Sequence, residues 1–134
     1  MTVMVGESVP ELTRELGAAV LMAYGAATWD WHRLHYDQAY VEARGLEAPV
    51  VDGQMFGALS AQAVVRWLGP GAFIRKLGYK MRSMVFAGQT LRFEGEVTSV
   101  VSEASNDVLT VQLRGSVGER LAVETTVVVS LPTP

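Results

Sequence analysis

The only two histidines of the chain, His32 and His35, fall in one short segment with Asp30 and Asp37. Imidazole is the side chain that exchanges a proton near neutral pH, and a carboxylate beside it can orient it or share its proton, so this segment is the natural place for general acid–base chemistry. Asp30 and His35 are five residues apart, on different sides of a helix and on opposite faces of a strand, so only a turn makes them neighbours. The plainer alternative is that Asp30 caps a helical turn, His32 and Arg33 stay in water, and His35 packs half-buried against a backbone partner. A metal site needs at least three ligands. Asp30, His32, His35 and Asp37 suffice in number but match no zinc spacing, and no metal is expected.

A second candidate is Asp52-Gly53, which stands where a helix begins. Asp52 is a suitable N-cap, and a glycine just after it lets a ligand approach exposed backbone N–H groups, where the helix dipole favours a developing negative oxygen. Arg75, Lys76, Lys80 and Arg82 form a third feature, open to a phosphate-bearing ligand such as coenzyme A or simply to water along one strand face. Trp29 and Trp31 either wall a pocket or pack.

Positioning these residues requires particular elements. Leu12 to Leu16 reads as a short strand, and the Ala-, Leu- and Met-rich run after it as a helix ending near Trp29. A short helix over Asp37 to Arg44, capped by Asp37, is stopped by Gly45. Pro49 makes the approach to Asp52 extended, and the helix that follows runs to Gly69-Pro70 with apolar or small residues nearly all round, as a core helix should. The period then becomes two. Leu77, Tyr79 and Met81 oppose Lys76, Lys80 and Arg82; Leu91, Phe93, Val97 and Val101 alternate with polar residues, as do Leu109, Val111 and Leu113. Leu121 to Leu131 is β-branched on both faces, as for a strand covered on both sides. Turns are expected at Ala87-Gly88, Asn106-Asp107 and Gly118, and LPTP at the end is expected to fray. The order predicts an α+β fold in which an antiparallel sheet curls round one buried helix.

The 134 residues suit one domain, 1–134, and no repeat or linker marks a second. A net charge of -3 argues against nucleic acid as a partner. The absence of cysteine excludes disulfides and thiol nucleophiles. The longest uncharged stretches, Leu16 to Trp29 and Gly53 to Val65, are 14 and 13 residues, too short to cross a bilayer, and the N-terminus lacks the pattern of a secretory signal. No membrane association and a cytoplasmic location are therefore expected.

The segment ATWDWHRLHYDQAYVEARGLEAPVVDGQM resembles the signature of MaoC-like, (R)-specific enoyl-CoA hydratases, D-x-N-P-x-H-x-D followed by a His-Gly that opens the central helix. GYKMRSMVFAGQTLRFEGEV is similar to the family's sheet-entry pattern. The resemblance implies a hot-dog fold, an antiparallel sheet wrapped round a long helix. It implies reversible addition of water to a trans-2-enoyl-CoA thioester, with Asp30 and His35 as the catalytic pair and the Gly53 N–H facing the thioester oxygen. Asp52, Lys80, Arg82 and Trp31 are the expected substrate-binding residues. No cofactor is implied, coenzyme A being part of the substrate, and the expected assembly is a homodimer or a hetero-oligomer with another hot-dog chain.

The departures define the alternatives. His32 and Arg33 replace Asn-Pro, Asp52 replaces the His before the helix glycine, Met84 replaces a Pro, and Trp29 replaces a Gly. The downstream half is also similar to small subunits of actinobacterial heteromeric hydratases that act on steroid side-chain CoA esters, a resemblance that implies a non-catalytic subunit whose partner carries the chemistry. A hot-dog thioesterase is a further alternative, with Asp52 or Glu42 as its acid or base.

Overall fold

The structure, a computed structural model, describes residues 2–133. In chain order it comprises β1 (Ser8–Glu15), α1 (Ala18–Thr28), a 3-10 turn (Arg33–His35), α2 (Gln38–Glu42), α3 (Gly53–Leu68), β2 (Phe73–Met81), β3 (Thr90–Glu103), β4 (Asn106–Val117) and β5 (Arg120–Pro132). The strands form one antiparallel sheet in the order β1-β3-β4-β5-β2. Five strands set side by side at ~4.8 Å place the two edge strands about 19 Å apart along the sheet, yet α3 packs against both of them and against β5. A helix ~10 Å wide can touch both edges only if the sheet curls round it. This is the hot-dog arrangement.

The core lies between α3 and the inner sheet face. Met55, Phe56, Ala63, Val64 and Leu68 of the helix meet Leu91, Phe93, Val97, Leu109, Val111, Leu113, Val123, Val127 and Val129. One polar pair interrupts it: the Ser60 hydroxyl donates to the Phe56 carbonyl at 2.7 Å and pairs with Thr125 Oγ1 at 2.9 Å, both residues being buried. Gly57 brings α3 close to β2, since a Cβ there would lie 2.9 Å from the Tyr79 ring.

Several expectations are corrected. β1 starts at Ser8, earlier than Leu12, and contains Pro10; it is an edge strand, and the register shift between Val9 and Leu12 spares the proline from the ladder. Val101 is 52% exposed because a bulge between Val97 and Ser99 reverses the alternation of β3 and turns Val100 toward the core instead. β5 is covered on one face only: Val123, Thr125, Val127 and Val129 are buried while Glu124, Thr126 and Val128 are half-buried, since none of the described residues forms a second layer over them. The β3–β4 turn falls at Ala104-Ser105, with Ala104 at φ 48, so Asn106 and Asp107 already belong to β4. Leu131 and Pro132 end β5 and the Thr133 N–H bonds to the Ser105 carbonyl at 3.0 Å, so these residues of LPTP are held in place; Pro134 lies outside the described residues.

Candidate active site

Asp30 is delivered by the end of α1. Trp29 caps that helix at φ 59, and the N–H groups of both Trp29 and Asp30 return to the Gly25 carbonyl. The return depends on Gly25, where a Cβ would lie 2.8 Å from the Asp30 carbonyl oxygen. Trp29, at the position where the resemblance has glycine, keeps the left-handed conformation at a cost of about 1 kcal/mol.

The next residues form the turn that acid–base pairing demands. Asp30 Oδ1 accepts the His32 N–H at 3.1 Å, and His32 Nδ1 accepts the Leu34 N–H at 3.1 Å, capping the 3-10 turn. His32 thus caps from a position where the resemblance has asparagine. Arg33 pairs with Asp37, and Asp37 Oδ1 caps α2 through the Tyr40 N–H at 3.0 Å. That amide bond, then Arg33, holds the Asp37 carboxyl below its ordinary value. The turn swings His35 back until its Nε2 stands 3.9 Å from Asp30 Oδ2. His35 Nδ1 lies 2.7 Å from the Val50 carbonyl oxygen, and the Val50 N–H bonds to the Leu34 carbonyl. A carbonyl only accepts, so Nδ1 carries hydrogen and a neutral ring turns its Nε2 lone pair toward Asp30.

Asp52 arrives from the other side. It caps α3, with Oδ1 accepting the Gln54 N–H at 2.9 Å. The residue is 8% exposed and its Oδ2 has no hydrogen-bond partner. Asp30, His35 and Asp52 each present one atom, all within 4.8 Å of one another. Leu21, Tyr24, Gly25 and Met55 complete a narrow pocket around His35 and Asp52. Burial, then the Asp52 carboxylate and then Tyr79 push the Tyr24 hydroxyl above its ordinary value. Beside this pocket, a groove of about 400 Å³ is lined by His35, Gly53, Phe56, Met81, Arg82 and Val85 among others. The Gly53 N–H, at the positive end of α3, has no acceptor among the described residues, and the exposed Met81 thioether lies across Gly53, 2.6 Å from where a Cβ would stand.

A family model described as "MaoC like domain" matches residues 4–119. The chain belongs to the MaoC-like family. Among curated members, it is 30% identical over 115 residues to the 3-oxo-4,17-pregnadiene-20-carboxyl-CoA hydratase beta subunit of Mycobacterium tuberculosis, covering 86% of this chain and 85% of that one. It is also 30% identical over 122 residues to the (R)-specific enoyl-CoA hydratase of Aeromonas caviae, covering 90% of each. Of solved MaoC-like structures, the ChsH1–ChsH2 complex of Mycobacterium tuberculosis superposes with a TM-score of 0.88 at 28% identity over 97% of this chain and 99% of that one. The Aeromonas caviae (R)-hydratase superposes with a TM-score of 0.86 at 29% identity over 98% of each.

Within this MaoC-like chain, Asp30, His35, Asp52 and Gly53 come together at one place. Arg82 reaches the rim of the groove, where its guanidinium pairs with Glu124 at 2.6 Å. Lys80 lies with Lys76 and Arg82 in a separate depression, shared with Gln112, Glu124 and Thr126, and does not line the groove. Trp31 is 42% exposed, stacks edge-on with Trp29 at 6.0 Å and lines neither the pocket nor the groove. Gly25, the Val50 carbonyl and Met81 are the participants that sequence reasoning passed over. Only Met81 left a signal, its alternation with Leu77 and Tyr79.

Distances indicate what the cluster can hold. Two groups 3.9 Å apart do not bond directly, but both can bond one water. Ligands of a tetrahedral metal ion at ~2.1 Å would stand about 3.4 Å apart. Partners of a water at ~2.8 Å stand about 4.6 Å apart at the tetrahedral angle, and the 3.9 Å of Asp30 and His35 falls between the two spacings. Among the described residues, no helix is long and apolar enough to cross a membrane.

Proposed function

We propose that the chain is a hydratase that adds water reversibly across a trans-2-enoyl-CoA thioester to give the (R)-3-hydroxyacyl-CoA. The observation that carries this reading is the Asp30–His35 pair, spaced for one bridging water, with His35 fixed by the Val50 carbonyl and an apolar groove opening from His35 past Gly53. The acyl chain lies in the groove and its thioester oxygen meets the Gly53 N–H. As the water oxygen bonds to the β-carbon, the alkene pair moves through the carbonyl to that oxygen. The N–H and the α3 dipole then bind the charge more strongly than they bound the neutral carbonyl. One water proton passes to Asp30 or His35 and the α-carbon receives one from the site. Coenzyme A is part of the substrate, and the reaction draws on no separate cofactor. Arg82 on the rim is placed to meet a coenzyme A phosphate.

A second reading follows from the likeness to the beta subunit and to a hetero-complex: a chain that works only beside another hot-dog protein. Its support is that the groove opens on β2, an edge strand whose outer side is unpaired among the described residues. The purified chain is incubated with 2-enoyl-CoA esters from short to polycyclic, and gain of one water is followed by mass spectrometry. Uptake by the wild type, reduced about 100-fold or more in Asp30→Asn and His35→Gln, is expected. Equal turnover in both variants would overturn the site, and no uptake until a second hot-dog chain is added would favour the second reading.

A further inference from the structure

We infer that Asp52, besides capping α3, is a third catalytic residue that holds the attacking water together with Asp30 and His35; the catalytic part of this rests on the hydratase reading. Asp30 and Asp52 are set up alike. Each spends Oδ1 on the backbone N–H two residues on, His32 in one case and Gln54 in the other, which leaves Oδ2 over, and the two carboxyl groups converge with His35 on the same space. At Asp30, that oxygen faces His35. At Asp52, it is a buried carboxylate oxygen with no partner, a state that costs free energy unless something bonds to it. A cap alone needs one oxygen, and serine caps as well with no second polar atom to bury.

The three groups approach from separate elements, the end of α1, the 3-10 turn and the start of α3, so a water among them is fixed in position, not merely in distance. The proton count fits hydration. A water offers two hydrogens to three acceptors, which leaves room for one proton belonging to the site. As the oxygen–β-carbon bond forms, the site takes one proton from the water and gives one to the α-carbon. It ends with as many as it began with, and the product has gained one H₂O.

The test compares Asp52→Asn and Asp52→Ser with the wild type, since both substitutions keep an N-cap and remove the free carboxylate oxygen. Expected are melting temperatures close to the wild type, kcat lowered about 10- to 100-fold in both, and KM changed little, because the bound water is used in the transition state and not in holding the ester. A high-resolution crystal structure of the wild type should show one water within hydrogen-bond distance of Asp30, His35 and Asp52 Oδ2. Wild-type turnover in both variants, or a crystal in which the Tyr24 hydroxyl or a cation occupies Asp52 Oδ2, would overturn the inference. If the wild type hydrates no ester, the hydratase reading fails and with it the catalytic role. The crystal then decides whether Asp52 holds water.

Discussion

The Ser60–Thr125 pair offers a perturbation whose size can be worked through. The Ser60 hydroxyl has one hydrogen and gives it to the Phe56 carbonyl, so in the bond between the two hydroxyls Thr125 is the donor. Ser60→Ala removes the acceptor and leaves the Thr125 hydroxyl, 1% exposed, without its partner. An orphaned buried hydroxyl costs ~1–3 kcal/mol, while alanine returns about 0.5 kcal/mol of helix propensity, for a net loss of ~1–2 kcal/mol. At ~2.1 cal/mol/K of unfolding entropy per residue, the chain loses about 3.5 °C of melting temperature per kcal/mol. A fall of ~4–7 °C is therefore expected in a thermal melt followed by circular dichroism. Combining Ser60→Ala with Thr125→Val removes donor and acceptor together at similar volume, and the double variant should regain most of the loss. A single variant as stable as the wild type, or a double variant that loses the sum of both singles, would refute the reasoning.

Gly25→Ala pushes on the Asp30 carbonyl and shifts the carboxylate away from His35, so kcat should fall about 10- to 100-fold with the fold retained, as judged by circular dichroism beside the ester assay. Gly95→Ala drives a Cβ into the Gln112 carbonyl oxygen between two central strands, and a loss of about 3 kcal/mol or more in urea unfolding is expected. Asp37, whose folded-state carboxyl titrates below its ordinary value of 3.8, contributes stability that is fully present above that value and lost as pH falls through the lower one. Melts of wild type and Asp37→Asn should accordingly differ at pH 6 and converge in strong acid.

What could be read from the sequence, and what could not, divides along physical lines. α3, its Asp52 cap and its stop at Gly69 followed from local rules, since caps and breakers act within a few residues. The order of strands and their inward residues followed from period two, except where a bulge intervened. Val101 was lost in that way, because an extra residue in one strand is set by the partner across the sheet and leaves no mark in the alternation. At the site, the types and spacing of Asp30 and His35 called for a turn, and the turn is present. Its stability comes from His32 bonding the Leu34 N–H, a role that a histidine does not announce. The approach of Asp52 to Asp30 brings the end of α1 to the start of α3, two elements separated by the turn and α2, and no local pattern encodes that meeting.

The pairing order also bears on how the chain reaches this state. β1 finds its place only against β3, and β2 only against β5, the last strand in the chain. While the polypeptide is being made, β2 therefore has no strand to pair with until β5 emerges, and α3, which packs on β1, β2 and β5, gains its cover in steps. Early fragments carry apolar surface and unpaired edges with no partner to meet, and folding is dominated by long loop closures. Asp30, His35 and Gly53 precede Met81, the β2 residue that walls the groove beside them and pairs with Val123 of β5, so that wall settles only when β5 arrives.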